Sequence, residues 1–326
     1  MKILIVSGFL GAGKTTFIKE LIRRSGTKPV VLENEYGENS IDARDLKRGS
    51  GNDKQPEVLE FMEGCVCCTM KDTFVNSVLT VFSGLAPEYL VVEPTGVGRL
   101  SNIINNLKPI LHDNISLLKP VVVLSPGSYN VNMREWPELY KDQVAFAQTV
   151  VFSKCENEAP EVIGQTISKI RKINPDAKII GSHYSALDDE WWRSLMEVDA
   201  AETEAAETAS GRDDLTQITI NNGRLDNPAE LILLLEDCLH GELGHIARAK
   251  GTVPVGGEML RFDLADRLYA ITGSDEETAQ CVFIGEALDK AAICRRMGSS
   301  LEKESLAFSP QFSKPERPAS AFRRMR

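Results

Sequence analysis

"KILIVSGFLGAGKTTF", residues 2 to 17, sets a short apolar strand, a glycine-rich turn and the start of a helical pattern end to end. The turn fits G-x-x-x-x-G-K-[ST], with Gly8, Gly13, Lys14 and Thr15 at the required places. Glycines at such a turn let consecutive backbone N–H groups close around a phosphate, and the helix behind it adds the positive end of its dipole. In that reading Gly11, Ala12, Gly13 and Thr16 complete the cradle. Lys14 reaches the β- and γ-oxygens and the Thr15 hydroxyl ligates Mg²⁺. A loop of this kind leaves the end of a buried parallel strand, so the expected fold class is α/β, a doubly wound nucleotide-binding domain.

The pattern around the loop agrees. "KPVVLE", "EVLEFM", "EYLVVE", "SLLKPVVVL", "TVVFS" and "AKIIGS" are short, apolar and separated by helical stretches at 14–24, 72–83, 135–147 and 159–172. Strands this apolar are covered on both faces. After a helical stretch around "DDEWWRSLME", "VDAAETEAAETASGRDDL" has few large apolar residues and reads as a solvated linker. Beyond it lie "LTQITI", "PAELILLLEDCLH", "GHIARAKGTVPV", "EMLRFDLADRLYAITG", "QCVFIG" and "EALDKAAICRRMG", expected to form a small α+β domain with a mostly antiparallel sheet. The expected boundaries are 1–198 for the nucleotide domain, 199–214 for the acidic linker, 215–300 for the second domain and 301–326 for a disordered tail.

With 326 residues, 42% of them hydrophobic, the chain is long enough for one large core and a smaller one. A net charge of −10, with the basic residues clustered only in the terminal "AFRRMR", argues against a nucleic-acid surface. No run approaches the roughly 18 apolar residues of a membrane helix, and the apolar start leads into Gly, Lys and Thr rather than a cleavage site. The expectation is a cytoplasmic protein without nucleic-acid or membrane partners. A reducing compartment also removes structural disulfides as the ordinary explanation of close cysteines.

Two further segments suit the nucleotide reading. "EYLVVEPTGVG" supplies Glu93 at a strand end as the second carboxylate near the metal, and Gly96 three residues on, whose N–H is placed to sense a γ-phosphate. "VVFSKCE" stands where guanine-specific proteins carry Asn-Lys-x-Asp. Lys154 keeps its aliphatic stem for the base and Glu156 keeps a carboxylate one methylene farther out, whereas Ser153 does not reproduce an Asn amide. GTP is favoured over ATP.

"EFMEGCVCCTM", residues 60 to 70, holds Cys65, Cys67 and Cys68, three of the seven cysteines. Adjacent residues on a strand face opposite ways, so Cys67 and Cys68 do not both pack inward. Two readings stay open: a redox pair, since Cys65 and Cys68 have C-x-x-C spacing, and a soft-metal site for Zn²⁺ or Cu⁺ whose three thiolates leave one tetrahedral position. Cys155, Cys238, Cys281 and Cys294 are scattered singly and read as core. The four histidines, His112, His183, His240 and His245, form no cluster and are assigned no metal.

"GFLGAGKTT", "ENEYGENSID", "GCVCCTM", "VVEPTGV", "SKCE", "ARAKG" and "FIGEALD" together resemble the CobW-type family of P-loop GTPases, metallochaperones related to the urease and hydrogenase nickel-insertion GTPases. The resemblance covers nearly the whole chain apart from the linker and tail. It implies a slow GTPase that uses GTP and Mg²⁺, binds Zn²⁺ (or Co²⁺) through Cys65, Cys67 and Cys68, and couples hydrolysis to metal delivery. It implies that Glu35, Glu38 and Asp42 lie in a switch-like loop, with Glu35 approaching the thiol-bound metal and Asp42 responding to Mg²⁺ or the γ-phosphate. It implies a client metalloprotein or corrinoid-related protein as partner, with a homodimer as a candidate assembly. The chain departs from the family at "SKCE", usually Asn-Lys-Thr-Asp, at "VVVLSPG", usually carrying a Val-Asp pair, and in having no His-rich stretch. Two rival functions are a nucleotide-gated interaction module without metal transfer and a redox-sensing NTPase.

Overall fold

The computed structural model describes residues 1–35, 58–62, 70–200 and 215–298, with the backbone alone at 34–35, 58–62 and 70–73. Its first sheet is parallel throughout. Strands β1 (Lys2–Ser7), β2 (Val30–Glu35), β3 (Val58–Met62), β4 (Tyr89–Glu93), β6 (Val121–Leu124), β7 (Thr149–Phe152) and β8 (Lys178–His183) lie in the order β3-β2-β4-β1-β6-β7-β8, and the short β5 (Ser116–Leu117) pairs beside β1. The strands β1, β2, β4, β6 and β7 divide their residues between two cores. Ile3, Ile5, Leu90, Val92, Val150 and Phe152 enter one cluster, while Leu4, Val6, Val91, Val121, Val123 and Val151 enter the other. This two-sided burial is why the strands read as unbroken apolar runs.

Helix α1 (Lys14–Ser25) closes the second cluster with Phe17, Ile18 and Leu21, all fully buried. Residues three and four apart share a helix face, and each such side chain contributes roughly 1.5–3 kcal/mol by leaving water. The first cluster is covered by α2 (Met70–Leu85), by α3 (Leu100–Leu107) and by α6 (Pro160–Ile173). Strand β1 lies between β4 and β6, so the loop after it opens into the crevice at the carboxyl ends of the strands, where such sheets take their ligands.

One expected strand is divided by a proline. "SLLKPVVVL" forms β5 and β6 rather than one strand, with Pro120, which has no N–H to offer a ladder, between them. The helix expected at 135–147 is α5 (Pro137–Phe146), and it is preceded by α4 (Tyr129–Glu135), which was not expected. Pro137 disfavours helical backbone at the residue before it, and Trp136 sits at φ −132°, ψ 53°. The described chain remains tied to the first sheet as far as Ala200, whose N–H donates to the Leu117 carbonyl at 2.8 Å. Residues 201–214 of the expected linker and the expected tail lie outside the described residues.

The second unit is an antiparallel sheet, β12-β11-β10-β13-β9, built from β9 (Thr216–Ile220), β10 (His245–Val255), β11 (Glu258–Ala265), β12 (Leu268–Gly273) and β13 (Gln280–Glu286). One face places Ala249, Val253, Phe262, Leu264 and Phe283 against Leu231, Leu234 and Leu235 of α7 (Pro228–His240) and Ile293 of α8 (Lys290–Arg296). The other face turns toward the first unit, and Val282 and Ile284 join its core. The Trp136 and His245 rings stack across the junction, 4.2 Å apart at 11°. Glu135 pairs with His245 at 3.1 Å, and Asn132 donates to Asp266 at 3.2 Å. No helix among the described residues is long and apolar enough to cross a membrane.

Candidate functional site

The loop between β1 and α1 takes the shape its glycines permit. Gly8 has φ +144°, and a Cβ there would lie 2.2 Å from the Val123 carbonyl oxygen of β6, so the position admits no side chain. Lys14, buried, turns its ammonium onto the loop itself and donates to the carbonyls of Gly8 at 3.1 Å and Phe9 at 3.4 Å. The Thr15 hydroxyl donates to Glu93 Oε1 at 2.9 Å, bringing together two residues 78 positions apart. Gly11, Gly13, Lys14, Thr15, Thr16, Glu93, Gly96 and Lys154 line one cavity of about 830 Å³. Gly8 and Ala12 support the loop without lining that cavity.

A hydroxyl and a carboxylate oxygen held side by side are hard donors, and they fit Mg²⁺ better than a soft metal. A second carboxylate stands next to them. Glu33 of β2 is in register with Glu93 of β4, both are buried, and both line the cavity. Sequence reasoning singled out Glu35 and missed Glu33. Only the pairing of β2 with β4, which depends on contacts remote in sequence, reveals the pair.

Gly96 packs against the phosphate loop. A Cβ on it would lie 2.5 Å from the Leu10 nitrogen, and its carbonyl accepts from Nε2 of the buried Gln143 at 3.2 Å. The "SKCE" residues separate. Ser153 is buried and its hydroxyl donates to the Ala12 carbonyl at 2.7 Å, bracing the loop from behind. Lys154 adopts φ +52° and faces the cavity. Glu156 lies outside the cavity lining and pairs with His183 at 3.2 Å, whereas Glu158, which sequence reasoning passed over, lines it.

Cys65, Cys67, Cys68, Glu38 and Asp42 lie outside the described residues, and of Glu35 only the backbone is described. The strand ends that lead into these segments are adjacent. Glu35 is the register partner of Met62, and β2 in turn lies against β4. Among the described residues no three His, Cys, Asp or Glu side chains gather to hold a metal ion. The four described cysteines are buried and unpaired by disulfides. Burial pushes the Cys238 thiol up to about 12 and raises Cys155 and Cys281 as well, so these three are core thiols rather than thiolates at neutral pH.

Residues 2–181 match the family described as CobW/HypB/UreG, nucleotide-binding domain, more than half of the chain. The chain belongs to that family. Residues 215–301 of this CobW-type chain match the cobalamin synthesis protein cobW C-terminal domain. It is 24% identical over 318 residues to zinc chaperone YjiA of Escherichia coli K12, an alignment covering 89% of this chain and 96% of YjiA. It is 25% identical over 221 residues to zinc-regulated GTPase metalloprotein activator 1 of Dictyostelium discoideum, covering 57% of this chain and 46% of that protein. The chain thus spans about half the length of several curated relatives it matches. Among solved structures, Zn(II)-bound YjiA GTPase from E. coli aligns at 19% identity with a TM-score of 0.43, covering 91% of this chain and 98% of that one.

Proposed function

We propose that this CobW-type chain is a GTP-dependent metallochaperone that carries Zn²⁺ as cargo and uses slow hydrolysis of GTP to time its release to a client. The observation that carries the reading is the adjacency of three strand ends. The end of β4 bears Glu93 on Thr15 of the phosphate loop, the end of β2 leads into the acidic segment, and the end of β3 leads into the thiol segment. The family assignment and the names of the zinc chaperone and GTPase relatives support it.

The roles follow from the donor types. Backbone N–H groups of the loop and the start of α1 hold the phosphates, and Lys14 leaves its two carbonyl partners for phosphate oxygens. Thr15 and Glu93 would hold Mg²⁺, with Glu33 beside them. That ion, when bound, offsets charge on the phosphates. Gly96 stands where loss of a terminal phosphate is felt by the chain after β4. Cys65, Cys67 and Cys68, with Glu35, are the proposed cargo ligands, thiolates suiting Zn²⁺ and admitting Co²⁺.

Linkage supplies the test. If the nucleotide changes zinc affinity, zinc changes nucleotide affinity by the same factor. Titration of Zn²⁺ in the presence of GTP, GDP, ATP and no nucleotide is expected to give the tightest binding with GTP. Equal affinity in all four would refute the coupling. Cys67→Ser is expected to weaken zinc binding and spare nucleotide binding, and loss of both would mean a structural metal instead.

A further inference from the structure

The C-terminal sheet presents a charged face to the phosphate loop. Along β10 the residues alternate, with Ala249 and Val253 turned into the helix-covered core and Arg248 and Lys250 turned the other way. On β11 the register partners Ala265 and Asp263 share that second face, as does Arg261 two residues before. All five line the same 830 Å³ cavity as Lys14, Thr15 and Glu93. The approach is close. A Cβ on Gly11, at the crest of the loop, would lie 2.8 Å from the Ala265 Cβ.

Arg248 is the register partner of Ala265, and directly opposed residues of an antiparallel pair have Cβ atoms about 4.5–5.5 Å apart. Its guanidinium therefore arises one side chain away from the crest of the phosphate loop. There it is held by Asp263, Nη2 to Oδ2 at 3.2 Å. Lys250, opposite Asp263, is 6% exposed. Three cations, Arg248, Lys250 and Arg261, share this wall with two carboxylates, Asp263 and Asp266. The ligand of the facing loop is a polyanion, and a guanidinium beside that loop is suited to a charge-assisted hydrogen bond with a phosphate oxygen.

We infer that the C-terminal sheet is a wall of the nucleotide site, and that Arg248, assisted by Lys250, binds the terminal phosphate after exchanging Asp263 for it. This rests on the nucleotide reading above and adds to it a role for the second domain. A triphosphate engages both domains at once, a diphosphate engages only the first, and the domain junction thereby becomes sensitive to hydrolysis.

The test compares affinity for guanosine β,γ-imidotriphosphate with affinity for GDP, and the matching adenine pair in parallel, by competition against a fluorescent nucleotide on the full chain. Arg248→Ala is expected to reduce the preference for the triphosphate about 10-fold while GDP affinity stays within about twofold, and Arg248→Lys to restore part of it. Asp263→Asn, which removes the Asp263 charge from Arg248, is expected to move the preference the opposite way; a merely structural ion pair would lower thermal stability in both variants and leave the ratio alone. An unchanged ratio in Arg248→Ala and Asp263→Asn, with wild-type binding intact, overturns this inference and leaves the nucleotide reading standing. A wild-type chain that binds none of the four nucleotides overturns both. If Arg248→Ala fails to fold, Asp263→Asn and Arg248→Lys carry the decision.

Discussion

Gly96→Ala is the most direct probe of the site. The added Cβ would lie 2.5 Å from the Leu10 nitrogen and 2.7 Å from the Leu10 Cα, where ordinary contact begins at 3.4 Å. Both are backbone atoms of the phosphate loop, so no side-chain rotation relieves the overlap. One backbone must retreat by about 0.9 Å, and Gly8, blocked by the Val123 carbonyl, leaves the loop little room to yield at its other end. A misplacement of about 1 Å in a binding constellation costs on the order of 100-fold, equivalent to about 2.8 kcal/mol. The assay is titration with a fluorescent guanine nucleotide, accompanied by thermal unfolding. Gly84→Ala, in α2 where an added Cβ meets nothing within 4 Å, is the matched control and is expected to gain roughly 0.5–1 kcal/mol of stability from helix propensity. Nucleotide affinity in Gly96→Ala within about threefold of wild type would refute the reasoning, because the contact would then be one the loop absorbs freely.

Thr15→Val removes the hydroxyl that donates to Glu93, and nucleotide affinity in the presence of Mg²⁺ is expected to fall by about 10–100-fold, converging with wild type when a chelator is added; a difference that survives chelation would detach Thr15 from the metal. Native alkylation at neutral pH followed by peptide mapping is expected to leave Cys155, Cys238, Cys281 and Cys294 unmodified, since all are buried, and early labelling at any of the four would contradict their packing. The domain junction should weaken in acid. Arg134 first, and then His245, hold the Glu135 carboxyl below its ordinary value of 4.5, so its contribution to stability is full above that value and disappears as the pH falls through the lower folded one. Urea unfolding of Glu135→Gln against wild type should therefore show a gap at neutral pH that closes in acid, and a gap constant across the range would remove Glu135 from the account.

What could be read from the chain alone was what is decided locally. The phosphate loop is a matter of backbone freedom over eight consecutive positions, and its glycines report that freedom directly. The parallel sheet was legible because β1, β4, β6 and β7 are buried on both faces and so keep no polar period. Pro120 was visible as a letter, yet the apolar run continued across it and masked the break it causes. Glu33 was hidden because its meaning depends on β2 lying against β4, a pairing across about sixty residues. The charged face of β10 and β11 was hidden for a related reason: alternation of polar and apolar residues reads as one wet face and one dry face, and here the polar face is turned toward another domain.

The hydroxyl of Ser153 on the Ala12 carbonyl gives the letters "SKCE" a division of labour. Its partner is main chain of the phosphate loop, so what Ser153 secures is the posture of that loop and not the identity of a purine. Lys154 and Glu156 are relieved of that duty. Loop and cavity are thereby addressed by separate letters: Ser153 acts on the loop, Lys154 on the cavity, and Glu156, paired with His183, on neither.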